Sequence, residues 1–186
     1  MKSRDIAFLA MYVALFSILS FVPYTGFIKV NVISITTIPV FLSLASYHLK
    51  FKGSMISSIS FGFFSYIASI TINPSILADP VILIVPRIIL GFTLYLILKS
   101  LGSINLWKFI FLSLMSVICN TILLSSFVFI VSTYKDIYRE SLRAWVLLIY
   151  INFLIEIAIT ITLSIALYPL IIYLIKNEEN IKKQIW

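Results

Sequence analysis

Four polar side chains lie inside stretches that are otherwise apolar. Arg87 falls in the run 80–98, Asn120 in 107–133, and Asn152 and Glu156 in 144–175. Arg87 and Glu156 are the two ionisable groups well inside such runs. A guanidinium is a permanent cation whose planar fork of donors matches a carboxylate or a phosphate. A carboxylate accepts hydrogen bonds, and an amide both donates and accepts. Together they suit recognition of a small polar or anionic solute. Asn152 and Glu156 are four residues apart, so on a helix they share one face. Two readings stand side by side. In one, Arg87 and Glu156 form an ion pair and the asparagines supply hydrogen bonds that tie the fold together. In the other, the four groups line a solute site with Arg87 as the anion clamp.

Bond-making chemistry finds little support. The single histidine, His48, stands beside Lys50 without Cys, His or Asp neighbours at metal-ligand spacing, so it reads as an interfacial cap and no metal is expected. No G-x-x-x-x-G-K-[ST] stretch occurs, so the chain is not its own P-loop ATPase. Acids are too sparse for a paired-carboxylate metal site, and no histidine is placed to activate any of the many serines. The expectation is a protein that is not an enzyme and carries no cofactor. Cys119, the one cysteine, reads as a small buried hydrophobe.

The elements that hold these residues follow from composition. Of 186 residues, 61% are hydrophobic and 11% charged, against about 45–50% and 25% in ordinary soluble domains. The mean hydropathy is +1.11. A soluble chain of this size cannot hide so much apolar surface, which excludes a soluble enzyme or a nucleic-acid-binding domain. The net charge of +7 then points to anionic lipid headgroups rather than nucleic acid, because the cations cluster at the ends of apolar runs.

Six apolar runs are present: 6–22, 32–49, 54–73, 80–98, 107–133 and 144–175. A span needs about 20 apolar residues, and backbone in lipid must be helical or form a closed barrel. The runs are continuous, without the alternation of barrel strands. The first follows Lys2 and Arg4 like a signal peptide, but lacks a small-residue cleavage site and reads as a helix. The expectation is an all-α integral membrane protein, a six-transmembrane-helix bundle forming one domain over residues 1–186. Lys2, Arg4, Lys50, Lys52, Lys99, Lys108, Lys176, Lys182 and Lys183 fall on one side, and Lys29, Lys135, Arg139 and Arg143 on the other. The excess of nine over four places both termini in the cytoplasm. Tyr24, Trp107, Tyr134, Tyr138 and Trp145 fit an interfacial aromatic belt. The last run exceeds a span and is expected to tilt or project, with Pro169 as a candidate kink.

Depth follows from the rise of about 1.5 Å per residue. It places Arg87 roughly 10 Å, Asn152 and Glu156 roughly 12–18 Å, and Asn120 roughly 18 Å below the outer face. On the first helix Ala7, Ala10 and Ala14 lie on one stripe with Ser17, and Ala10-x-x-x-Ala14 is a small-xxx-small pattern that lets another helix approach closely. Its partner is either a helix of this bundle or another subunit.

Several motifs carry a resemblance. They are Ala10-Met11-Tyr12-Val13-Ala14 on helix 1, Val22-Pro23-Tyr24-Thr25-Gly26-Phe27, and Ile35-Thr36-Thr37-Ile38-Pro39-Val40 at helix 2. Val85-Pro86-Arg87-Ile88-Ile89-Leu90-Gly91 in helix 4, Asn120-Thr121-Ile122-Leu123 in helix 5 and Asn152-Phe153-Leu154-Ile155-Glu156 in helix 6 complete the set. With the size and helix count, the chain resembles the S component, the substrate-binding subunit, of energy-coupling factor (ECF) vitamin transporters, most closely the pantothenate-type branch. The resemblance spans nearly the whole chain. Helix 3 and the loop before it are serine-rich (Ser54, Ser57, Ser58, Ser60) where relatives carry more glycine.

What the resemblance implies is high-affinity binding of a water-soluble vitamin in a bacterial plasma membrane. Pantothenate is favoured, with riboflavin or folate as alternatives. The S component then docks on a transmembrane coupling subunit powered by two cytoplasmic ATPase subunits, and topples to release the vitamin inside. Arg87, Asn120, Asn152, Glu156 and Thr37 become the substrate-binding candidates. Ala7, Ala10 and Ala14 become the docking face, and residues 23–31 a lid. A structural or assembly membrane protein without a solute site is the competing class.

Overall fold

The computed structural model describes residues 3–30, 33–72, 78–134 and 141–184. Helix α1 (Ser3–Phe21) leads into a β-hairpin of β1 (Phe27–Val30) and β2 (Ile33–Thr36). Then come α2 (Ile38–Thr71), the short α3 (Pro80–Leu83), α4 (Val85–Leu101), α5 (Leu106–Tyr134) and α6 (Ser141–Gln184). Among the described residues, five helical stretches are long and apolar enough to cross a membrane: α1, α2, Pro80–Leu101, α5 and Ile151–Asn177 of α6. The chain is thus an all-helical membrane bundle carrying one two-stranded sheet.

Two of the expected runs, 32–49 and 54–73, fall within α2. Its backbone leaves helical geometry at Lys50 (φ 51°, ψ −130°). The chain folds back there, because Gly53 is pressed against the carbonyl of Ala45. Residues eight apart on an uninterrupted helix would stand about 12 Å apart. A side chain at position 53 would collide with that carbonyl, and glycine is what lets the two arms, 38–49 and 51–71, close on one another. The expected break at Lys50-Phe51-Lys52-Gly53 is therefore a tight elbow.

The start of run 32–49 departs from expectation: Ile33–Thr36 is a strand, not helix. β1 and β2 pair antiparallel, with Phe27 opposite Thr36 and Val30 opposite Ile33. The β-branched residues Ile28, Val30, Ile33, Ile35 and Thr36 favour extended backbone. Pro39 sits in the first turn of α2, where its missing N–H costs nothing, and marks the change from strand to helix. Asp79 caps α3 by accepting from the Val81 amide at 2.9 Å. Pro86 in the first turn of α4 separates α3 from α4. α6 continues through Pro169 as one 44-residue helix.

The core lies where α1, α2, α4, α5 and α6 meet, around Tyr12, Phe16, Leu42, Phe61, Leu94 and Phe109, with Ile171 from α6. The buried serines of α2 serve close packing: the Ser54 hydroxyl donates to the Gly91 carbonyl of α4 at 2.6 Å. Small residues of this kind bring helix backbones together in lipid. His48 differs from its expected role as an interfacial cap. It is buried between α1 and α2, with Nδ1 2.9 Å from the Tyr12 hydroxyl and its ring edge-on to Phe8. Tyr24, Trp107 and Tyr134 are exposed, as belt residues are. Tyr138 and the side chain of Trp145 lie outside the described residues.

Candidate functional site

The hairpin sits between buried Arg87 and buried Glu156. At one edge, Glu156 of α6, only 3% exposed, accepts a hydrogen bond from the Thr36 backbone N–H at 2.8 Å through Oε1. Thr36 pairs across the sheet with Phe27. The Phe27 ring stands 6.3 Å from that of Phe61 on α2. The Phe61 ring lies under the guanidinium of Arg87, whose central carbon is 5.2 Å from the ring centroid. A chain of contacts therefore runs from Glu156 through the foot of the hairpin to Arg87. Among the described residues, Arg87 and Glu156 form no ion pair with each other.

Each group is placed by local structure. Arg87, 4% exposed, lies in the first turn of α4. Its Nη1 donates to the Ile82 carbonyl of α3 at 3.1 Å. Pro86 has no backbone N–H to return to α3, so the α3–α4 junction leaves carbonyls for side-chain donors. The aromatic face beneath supplies further attraction for a cation withdrawn from water. Nε of Arg87 is buried without a hydrogen-bond partner, so the guanidinium keeps donor capacity for something else.

The hairpin is fastened to α1 and α2 at its base. Thr37, a substrate-binding candidate, uses its hydroxyl to donate to the Thr25 carbonyl at 2.9 Å, and its amide donates to the Gly26 carbonyl at 3.0 Å. Gly26 is pressed against the carbonyl of Leu19, a spot closed to any larger residue. Thr37 thus holds the loop that carries the hairpin. The lid expected over residues 23–31 corresponds in its described part to the turn after α1 and strand β1.

Asn120 on α5 is 4% exposed and, among the described residues, its amide has no hydrogen-bond partner. It shares a buried face with Ser113 and Ser116. Asn152 is half-buried one turn before Glu156 on α6, and that face continues inward as Thr160 and Ser164. Arg87, Glu156 and Thr37 are thus linked through the hairpin; Asn120 lies on α5, which packs against α6, and Asn152 lies one turn before Glu156 on α6. Phe27, Phe61 and the Thr36 amide were not singled out from the sequence. Two of fifteen phenylalanines carry no distinguishing mark, and a backbone donor has no sequence signal.

On α1 the buried side is Leu9, Tyr12, Phe16 and Leu19. Ala7, Ala10 and Ala14 lie on the opposite, exposed side, beside Ile6, Met11 and Ile18. Among the described residues, the small-residue stripe therefore lies on the exposed side of α1, away from the face that packs into the bundle.

No family model matches the chain, and no curated protein matches it.

Proposed function

We propose that this chain is the S component of an ECF-type importer, a multi-pass protein of the bacterial plasma membrane that binds a water-soluble vitamin, with pantothenate favoured. The observation that carries the reading is the hairpin 27–36 held between buried Arg87 and buried Glu156. Charges inside a membrane bundle mark solute sites by default, and a strand pair between them is an element a solute can displace. In this reading the two arms of α2 lie side by side in the bilayer, the shorter completing its crossing through strand β2, which makes six spans, and both termini are cytoplasmic. Arg87 pairs with the vitamin carboxylate; Asn120, Asn152 and Glu156 meet hydroxyl and amide groups. Ala7, Ala10 and Ala14 form the surface that docks on a transmembrane coupling subunit with its two ATPases.

The deciding experiment is calorimetry of the purified protein with pantothenate, riboflavin and folate, beside mass analysis of any small molecule retained from the membrane. Pantothenate binding that falls at least tenfold in Arg87→Ala supports the reading. That size corresponds to one charge-assisted hydrogen bond, about 1.5–3 kcal/mol. An empty protein that binds none of the three vitamins rejects it.

A second reading is a structural or assembly protein. It rests on Arg87 and Glu156 each having a partner within the chain, the Ile82 carbonyl and the Thr36 amide. It predicts that substitutions at Arg87 and Asn152 alter stability alone.

A further inference from the structure

A cleft of about 640 Å³ opens where the elbow of α2, the end of α4, the loop after it (Gly102 to Ile104) and Ile175 of α6 meet. Its rim carries Lys50 and Lys99, and its floor is Tyr47, Tyr95, Leu98 and Ile104. The lysines around it divide into two kinds. Lys52 pairs with Asp5 at 3.0 Å, and Lys108 donates to the Ser103 carbonyl at 3.1 Å. Among the described residues, Lys50 and Lys99 meet neither a carboxylate nor any other acceptor. Both are exposed at the mouth of the cleft.

One further observation points to an occupant. Lys50 holds a positive φ of 51°, a backbone conformation that a non-glycine residue adopts at a cost and that clusters at ligand sites.

We infer that this cleft binds the phosphate of an anionic phospholipid, with Lys50 and Lys99 flanking the headgroup and the aromatic and aliphatic floor taking the glycerol and upper acyl carbons. Two free cations above an apolar floor, on a bundle solvated by lipid, match a molecule that is anionic at one end and apolar at the other. Basic pockets between membrane helices bind lipid headgroups by this arrangement.

The test uses the full chain in nanodiscs of phosphatidylcholine alone or with phosphatidylglycerol. Thermal midpoint and native mass spectrometry of retained lipid are the readouts, and a detergent arm contains inorganic phosphate. The expected result is a higher midpoint and retained phosphatidylglycerol for the native chain. Retention falls at least tenfold in Lys50→Gln/Lys99→Gln and stays near native in Lys50→Arg/Lys99→Arg. Lys99→Gln alone, at an exposed position on regular helix, gives an intermediate loss and guards against misfolding of the double variant. Lys52→Gln/Lys108→Gln, which removes the same charge from paired lysines, leaves retention unchanged. Equal retention in the two glutamine pairs overturns the site. Equal stabilisation by both lipid mixtures, or stabilisation by inorganic phosphate without a preference for phosphatidylglycerol, overturns the lipid assignment.

Discussion

Arg87 and Glu156 hold their burial by different means, and their variants should part accordingly. Arg87 gives one donor to the Ile82 carbonyl and its face to Phe61. Arg87→Ala strands a buried carbonyl and leaves a void, so denaturation should show a loss of about 2–4 kcal/mol. Glu156 works as an acceptor for the Thr36 amide. Glu156→Gln keeps a carbonyl oxygen there and should leave the hairpin in place, whereas Glu156→Ala removes it. Hydrogen exchange of the Thr36 amide should therefore accelerate at least tenfold in the alanine variant and little in the glutamine one; equal acceleration would sink this account. The burial of both residues was legible from the sequence, since a charge in an apolar run must turn inward. Their separation was not. Rise per residue supplies depth along a helix axis but not the direction a side chain takes around it, so two groups at one depth looked like a pair.

At the scale of elements, the elbow of α2 and the hairpin before it shape the site. The elbow depends on contact between Gly53 and the Ala45 carbonyl. Gly53→Leu should push the two arms apart and lower stability by about 1–3 kcal/mol, the usual effect of overpacking, with a reduced thermal midpoint as the measurement. Gly102→Ala meets no neighbouring atom and should cost only the strain of its positive φ, a clearly smaller shift. The elbow could be read from the sequence because Lys-Phe-Lys-Gly interrupts an apolar run. The hairpin could not. Val and Ile are apolar enough for a span and β-branched enough for a strand, so a continuous run conceals the change of backbone until Pro39. Its strand residues were absorbed into the neighbouring helix, and with them went the contact that joins Glu156 to the rest of the site.

For the whole molecule, the lipid-facing character was the most legible property of all, since it is set by composition and needs no contact to be known. The outward alanine stripe belongs to this scale as well. Ala10→Leu and Ala14→Leu add bulk at positions that are exposed among the described residues, so the thermal midpoint of the isolated protein should stay near native. Co-purification with a coupling subunit should be lost in the same variants if the stripe is a docking face; intact co-purification would remove that role. Orientation is testable separately. In a Cys119→Ser background, Lys29→Cys should react with a membrane-impermeant thiol reagent from outside intact cells and Lys52→Cys only after lysis, as the positive-inside distribution requires.

The elbow at Lys50 also bears on how the chain enters the bilayer during synthesis. The arm 38–49 is about 18 Å long at the helical rise and cannot span a hydrocarbon core of about 30 Å alone. Insertion machinery that samples one segment at a time has little reason to retain it. The arm 51–71 is long enough, and Gly53 lets it lie directly on its predecessor. The two should leave the translocon together, with the short arm waiting on the long one. A nascent chain halted after residue 52 should therefore leave 38–49 poorly integrated, and one halted well past residue 72 should recover it.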